Sequence, residues 1–342
     1  MTSVGGTTYA SVLSRESLES GGMVGPRLFI AGLYEGNRVF YGLNRAIKDE
    51  SVLDLELEKA KVMQVDYIKA YVRAPVNLMA RAAAAGAEMG IPSGSHYLSP
   101  GIQAGLTATT HLSATERMGY GWAESAGGNS YQDVMALYTQ GRFNLTTTHG
   151  GNAILGDDPA IVEDPRFKLL MPLSYATGLR NNAANPPTEA QRQAIRESVV
   201  VPTTIMRGGG LVTTGTDTPL QAPAIALHVA LRAFTYGVSN HEALQSVTIN
   251  SAKYTHADHE LGTVESGKIA DLVFLRGDPL ADVKNTADVE MVMKNGLTFT
   301  VEEILRPYAT PGALAERSKE LAGRYWRCGP SLCGEAETAH GH

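Results

Sequence analysis

Short β-branched and apolar runs alternate with longer segments of helical periodicity over the first two thirds of the chain. The predicted strands cover residues 7–11, 27–31, 66–72, 91–97, 107–112, 144–149 and 210–217. Between several of them the apolar residues recur at a spacing near ~3.6, as in residues 50–64, 75–90 and 131–141. Gly90 ends the second of these segments and is a helix stop before the next strand. Alternating strands and helices predict a parallel sheet with right-handed crossovers.

The number of predicted strands leaves two architectures open at this point. An open doubly wound sheet and a (β/α)₈ barrel both suit about seven parallel strands separated by helices. No GxGxxG follows the first predicted strand, which disfavours the nucleotide-binding version of the open sheet.

The pattern changes after residue 217. Two helices are predicted over residues 222–237 and 239–255, and the second opens with Ser239-x-x-Glu242, the pattern of a capping box. Residues 258–302 are predicted to form β-strands joined by turns, and Asn295–Gly296 is a hairpin signal. The predicted domains are therefore a barrel over 1–257, a small β module over 258–302, and a helix with a polar tail over 303–342.

Composition excludes several classes of partner. Of the 342 residues, 43% are hydrophobic and 19% charged, and the formal charge is −6 without any Lys/Arg-rich run, so nucleic acid is not expected as a partner. No apolar run approaches the ~18 residues of a membrane-spanning helix. The first residues lack the features of a secretory signal, so the cytoplasm is the default location unless an upstream segment carries a signal. The oligomeric state stays open, a homo-oligomer included.

The only two cysteines lie in the tail, so no disulfide framework is expected. Cys328, Cys333, His340 and His342 form a set of four soft ligands there. Their spacing is not a standard one and the segment is polar, so we do not predict an ordered metal site in the tail.

The strand ends carry the candidate chemistry. In residues 66–73 the side chains of Tyr67, Lys69, Tyr71 and Arg73 share one face, and the opposite face is apolar. In a barrel the apolar face packs on the helices, which sends Lys69 into the interior, where an unpaired ammonium is costly. By the same alternation Gly94 shares a face with His96, and Thr109 shares a face with His111. Asp217 ends the last predicted strand. Lys69, His96, His111 and Asp217 are thus expected at the C-terminal rim, where barrel active sites lie.

These residue types suit metal-assisted hydrolysis. Neutral imidazoles and a carboxylate bind Zn²⁺ or a similar divalent ion, and a catalytic site keeps one position open for water. Asp217 is the natural proton carrier beside such a water. Tyr71 and Arg73 are expected either to bind a substrate carboxylate or to pack against neighbouring strands. His149 also ends a predicted strand and is followed by two glycines, which makes it a candidate for substrate contact.

The chain resembles the metal-dependent amidohydrolase superfamily. The resemblance runs from about residue 5 to residue 302 and is most specific in ALQSVTINSAKYTHADHELGTVESGKIADLVFLRGDPLADV. It is closest to the imidazolonepropionase- and prolidase-like branch, including members fused to a Tol-type β-propeller. The resemblance implies that His96 and His111 are the metal-binding histidines of the fifth and sixth barrel strands. It also implies that Asp217 is the metal-binding, proton-shuttling aspartate of the eighth.

The resemblance further implies a site for one or two divalent metal ions, zinc being the expected one. Lys69 falls where many members carry a lysine that CO₂ converts to a carbamate bridging two metals. The expected reaction is hydrolysis of an amide C–N bond in a small-molecule substrate, a dipeptide or a cyclic amide. The loops over residues 119–130 and 156–173 are expected to set specificity.

One departure from the family pattern divides the functional hypotheses. The family's first strand carries a His-x-His pair, whereas here the only such pair is His340–His342 in the tail. The expected fold is therefore a (β/α)₈ barrel lacking its first strand, plus the C-terminal part of a small β-sandwich. Because such a barrel exposes two sheet edges, we expect the chain to be part of a longer protein. The alternative function is a catalytically inactive barrel that acts as a binding or scaffold protein.

Overall fold

The computed structural model describes residues 1–37, 45–71, 73–111, 129–141, 143–148, 151–171, 173–217 and 223–308. Its larger sheet has seven strands, all parallel to their neighbours, in the same order in space as in the chain. The strands are β1 (Thr2–Ser3), β2 (Phe29–Tyr34), β3 (Tyr67–Ala70), β4 (Ser93–Ser95), β5 (Ala108–Thr110), β6 (Asn144–Thr147) and β7 (Val212–Thr214). This curled parallel sheet is a partial (β/α)₈ barrel, so the barrel alternative is the correct one.

The helices over residues 50–62, 76–89, 132–139 and 223–234 follow predicted segments, whereas the single helix predicted over 239–255 is divided into two at Thr248. The described helices are α1 (Thr8–Glu19), α2 (Glu50–Val62), α3 (Val76–Met89), α4 (Gln132–Thr139), α5 (Pro165–Leu170), α6 (Leu173–Ala183), α7 (Glu189–Ser198), α8 (Val200–Arg207), α9 (Pro223–Phe234), α10 (Asn240–Val247), α11 (Ile249–Tyr254) and α12 (Val301–Leu305). Gly90 ends α3 with a φ of 70°, and the predicted capping box at Ser239 and Glu242 begins α10. No helix among the described residues is long and apolar enough to cross a membrane.

Two predicted elements are wrong. Residues 7–11 were expected as a strand but lie at the start of α1, because their short threonine-rich run continues into helix-compatible residues up to Glu19. The edge strand is instead Thr2–Ser3, paired with Phe29 and Ile30. Residues 156–173 were expected as a long loop, yet most of them are helical. They include α5, the 3₁₀ segment Pro159–Glu163 and the end of the 3₁₀ segment Asn152–Asp157, and a proline opens the first two.

The two faces of the parallel sheet have different chemistry. At β2 and β3 the outer face packs against α2 and α3 and is largely apolar, with buried contacts from Ile30, Ile68, Ala70, Leu53, Leu57 and Met79. The inner face combines Ala31, Tyr67 and Ala108 with Tyr254 from α11. Burial of the outer face stabilises the fold at about 25 cal/mol per Å² of apolar surface removed from water. The inner face is polar enough to host chemistry toward the strand ends.

Helix α11 lies against the last strand and inside the curve of the sheet. The Asn250 side-chain amide donates to the backbone carbonyl of Val212 in β7 at 3.0 Å. The Tyr254 ring stacks on Tyr67 with centroids 5.5 Å apart, and the two hydroxyls are hydrogen-bonded at 2.8 Å. This pair fills the interior at the N-terminal end of β3 and leaves the opposite, C-terminal rim for the candidate site.

The predicted β module is a three-stranded antiparallel sheet. Its strands are β8 (Leu272–Leu275), β9 (Val289–Lys294) and β10 (Leu297–Thr300), in the order β10-β9-β8. Asn295 and Gly296 have φ values of 51° and 80° and form the expected tight hairpin turn. The described residues contain no second sheet packed on this one, so the predicted sandwich is not confirmed. The sheet is held to the barrel by Arg27, which donates to Asp271 at 2.8 Å.

Candidate functional site

The four residues singled out from the sequence lie toward the C-terminal edge of the parallel sheet. Lys69 is in β3, His96 follows β4 directly, His111 follows β5 directly, and Asp217 is the third residue after β7. Since parallel strands all end at one rim, these four side chains come from neighbouring or facing parts of the same rim.

Three of the four are in contact or nearly so. The rings of His96 and His111 have centroids 5.1 Å apart, and His111 Nε2 lies 3.4 Å from Asp217 Oδ2. Tyr71 meets His96 edge-on with centroids 5.0 Å apart. The result is a cluster of two imidazoles, a carboxylate and a phenol. In this cluster the Asp217 side chain is the one open to solvent, with 69% of its surface exposed.

Lys69 lies beneath this cluster in the barrel interior. Lys69 is only 1% exposed, and its Nζ donates to the Thr110 hydroxyl at 2.7 Å. Burial lowers the pKa of Lys69 from 10.5 to about 7, against the opposing attraction of Asp217. At neutral pH this side chain is therefore divided between its ammonium and its free amine. The free amine is the nucleophilic form.

Both histidines are neutral near pH 7. The pKa of His96 is lowered to about 3, chiefly by burial, and also because Lys69 and His111 repel its imidazolium when they are charged. Burial also lowers the pKa of His111, while Asp217 opposes that shift. His96 Nδ1 is buried and has no hydrogen-bond partner among the described residues. A buried imidazole nitrogen without a hydrogen-bond partner, beside a second imidazole and a carboxylate, is an arrangement that a cation can satisfy.

His111 and Asp217 have left-handed backbone conformations, with φ values of 67° and 44°. Such conformations are strained for residues other than glycine and concentrate at functional sites. The conformation of His111 also corrects the predicted alternation in β5. Thr109 does not face the interior, since its hydroxyl is bonded to Tyr138 on the helix side at 2.8 Å. Thr110 faces inward instead, and the change of backbone direction at His111 turns its ring back into the site.

The remaining sequence candidates are Tyr71, Arg73, His149 and the cysteines and histidines of the tail. Arg73 is exposed, beyond the end of β3, whereas Tyr71 contacts His96. His149 lies outside the described residues, as do the cysteines and histidines of the tail.

Three residues of the rim were not singled out from the sequence. Glu35 is fully buried directly after β2, and Thr110 and Thr148 contact Lys69 and His111. Glu35 could have been found from the sequence. It lies two residues after Leu33 and four after Ala31, so strand alternation places it on the same face as these residues, the argument that placed Lys69 inside the barrel. The threonines had none, since a β-branched residue in a strand is ordinary.

The donor chemistry fits a divalent cation. Two neutral imidazoles, one with an unpaired buried nitrogen, stand beside a carboxylate and a lysine that is partly free amine. Among the described residues, however, no group of three or more His, Cys, Asp or Glu side chains is arranged to hold a metal ion. A metal would therefore have to draw these side chains closer together, or be held in part by ligands beyond the described set.

Part of the chain is similar to a known protein family. Residues 178–298 match the model of the amidohydrolase family. This segment includes Asp217, α9 to α11 and most of the small sheet. The chain is also similar to an adenine deaminase of Clostridium botulinum (strain ATCC 19397 / Type A), with 43% identity over 76 residues. That alignment covers 21% of the chain and only 12% of the deaminase.

Solved structures resemble the chain over most of its length. A Xaa-Pro dipeptidase with bound methionine is 19% identical, with a TM-score of 0.59, over 87% of this chain and 74% of that one. A putative prolidase from Bifidobacterium longum is 18% identical, with a TM-score of 0.56, over 93% and 76%. At such low sequence identity, the structural similarity supports the fold alone.

Proposed function

We propose, from the match of residues 178–298 to the amidohydrolase family model, that the protein hydrolyses carbon–nitrogen bonds with a divalent metal ion. The observation that carries the proposal is the cluster of His96, His111 and Asp217 above the buried Lys69. The proposed substrate is a small amide, either a dipeptide or a cyclic amide. The Xaa-Pro dipeptidase and the prolidase among the structurally similar proteins support the first of these.

In this proposal His96, His111 and Asp217 hold one or two metal ions, zinc being the preferred ion for such ligands. When bound, the metal lowers the pKa of a water molecule toward ~7 and polarises the scissile carbonyl. Asp217 would accept a proton from the attacking water and donate it to the leaving nitrogen. Its exposure and its 3.4 Å separation from His111 suit this role, because the carboxylate borders both the cluster and the solvent.

Lys69 is proposed as a further ligand after reaction with CO₂. The free amine adds to CO₂ and releases a proton, which gives a carbamate anion on Nζ. This reaction removes the unfavourable buried ammonium and supplies an anionic oxygen ligand. The low pKa of Lys69 supports carbamate formation, because in about half of the molecules this side chain is the free amine near pH 7.

Tyr71 and Arg73 are proposed to bind the carboxylate of the substrate. Tyr71 already borders His96, and an exposed arginine on the same rim can form a bidentate pair with a carboxylate. His149 stays a candidate for substrate contact from its position after β6.

The test uses purified chain, elemental analysis after dialysis, and a panel of dipeptides that includes Xaa-Pro sequences, with adenine as a further substrate. We expect at least one tightly bound divalent ion per chain and hydrolysis of at least one panel member. Asp217→Asn is expected to lower the rate by roughly 100-fold or more. Asp258→Asn is the matched control, because Asp258 is exposed and distant in sequence from the cluster.

Full activity and metal content in Asp217→Asn would remove the role given to that carboxylate. Less than one metal ion per chain together with no hydrolysis would overturn the enzyme proposal. It would favour a barrel that binds ligands without catalysis.

A further inference from the structure

His111 contacts two different groups through its two ring nitrogens. Nδ1 is hydrogen-bonded to the hydroxyl of Thr148, which follows β6 directly, and Nε2 faces Asp217 at 3.4 Å. The backbone fixes this arrangement, because His111 N–H donates to the carbonyl of Thr146 at 3.0 Å. That bond holds the end of β5 beside the end of β6 and brings Thr148 to the imidazole edge.

The two partners make different demands on the imidazole proton. A neutral imidazole carries one proton, on Nδ1 or on Nε2. Asp217 as a carboxylate only accepts, so its contact with Nε2 favours the proton on that nitrogen. A cation bound at Nε2 needs the lone pair there, and the proton must then lie on Nδ1. The same ring therefore needs opposite tautomers in the empty and the metal-bound protein.

A threonine hydroxyl suits both tautomers because it both donates and accepts. Toward an unprotonated Nδ1 the Thr148 hydroxyl donates, and toward Nδ1–H its oxygen accepts. A carboxylate or a backbone carbonyl in this place would accept only and would favour one tautomer throughout. His111 also needs to be held in place, since its left-handed backbone turns the ring away from the direction that strand alternation gives.

We propose that Thr148 is a positioning residue that holds the His111 ring and allows it to change tautomer when a divalent cation binds at Nε2. This inference rests on the proposed function, since it assumes that the cluster binds a metal. It goes beyond that function by assigning a role to a residue that does not touch metal or substrate.

The experiment is ¹⁵N NMR of histidine-labelled protein, first metal-free and then titrated with Zn²⁺ alone. In the wild type we expect His111 to carry its proton on Nε2 without metal and on Nδ1 with Zn²⁺. Thr148→Val is expected to bind Zn²⁺ roughly 10- to 100-fold more weakly, the usual effect of removing a hydrogen-bond partner from a metal-binding histidine. Thr148→Ser, which keeps the hydroxyl, is expected to restore the wild-type affinity.

Thr147→Val is the matched control. It removes the hydroxyl of the adjacent residue, which donates to the Thr213 carbonyl rather than to His111. Urea unfolding of each variant establishes that it is folded. Zn²⁺ affinity of Thr148→Val within twofold of the wild type, or one unchanged His111 tautomer with and without Zn²⁺, would overturn the inference.

Failure of the proposed function gives a different result. If the wild type binds no Zn²⁺, the metal site is wrong, and the metal-free spectra still decide the role of Thr148. A changed His111 Nδ1 resonance in Thr148→Val, absent in Thr147→Val, supports the positioning contact. An unchanged resonance refutes it.

Discussion

Replacing Lys69 with methionine is expected to change how the stability of the protein depends on pH. The pKa of Lys69 is about 7 in the folded chain and 10.5 in the unfolded chain. Between these values the unfolded state binds more protons than the folded state, so the free energy of unfolding rises with pH. The destabilising contribution is absent above pH 10.5, grows as the pH falls, and reaches its full size just below pH 7.

The magnitude follows from the linkage slope of about 1.4 kcal/mol per pH unit for one proton. Between pH 7.5 and 9.5 the wild type should therefore gain about 2 to 3 kcal/mol of stability from this group, and Lys69→Met should lack that gain. The variant also leaves the Thr110 hydroxyl without its partner, at a cost of about 1 kcal/mol that does not vary with pH. The difference in slope is consequently the quantity to measure.

The assay is urea unfolding of metal-free protein in CO₂-free buffers at several pH values in this window. Lys61→Met is the control, since Lys61 is at the surface beside Glu58 and its pKa is raised above 10.5. We expect the control to follow the wild-type curve. Parallel curves for Lys69→Met and the wild type, within about 0.5 kcal/mol across the window, would refute the buried, depressed state of this lysine.

Three further changes test the fold. Gly90→Ala should cost about 1 kcal/mol in urea unfolding, because φ is 70° and the added Cβ meets nothing within 4 Å; no loss would contradict the left-handed cap. Gly94→Ala should cost about 3 kcal/mol or more by the same measurement. Its Cβ would stand 1.9 Å from the Tyr67 hydroxyl, so wild-type stability would argue against that packing. Ser239→Ala should cost about 1 kcal/mol and speed amide exchange in the first turn of α10, and Ser239→Asp should restore both if capping is the cause.

Helix ends and tight turns illustrate what local sequence can predict. A glycine after a periodic apolar segment, a serine three residues before a glutamate and an Asn–Gly pair each act through their own backbone. The elements at Gly90, Ser239 and Asn295 consequently have the form that their neighbours in sequence predict. The strand predicted over residues 7–11 was wrong because this segment contains no such local signal. Five residues with two threonines do not distinguish a strand from the first turn of a helix.

The candidate site was predictable in part. The sequence alone predicts that Lys69, His96, His111 and Asp217 occupy or follow four strands of one parallel sheet, and parallel strands bring such residues to one rim. The types of these residues predict a site for a divalent metal ion, and the resemblance to the amidohydrolase superfamily implies hydrolysis of a C–N bond.

Only the tertiary structure decided how these residues are placed and partnered. His111 reaches the site through a left-handed backbone and meets Thr148, 37 residues away in the chain. Tyr254 closes the opposite end of the interior against Tyr67, 187 residues away. The physical reason is that burial, which lowers the pKa of Lys69 and leaves a nitrogen of His96 unpaired, comes from long-range packing. Strand alternation and local spacing carry no information about that packing.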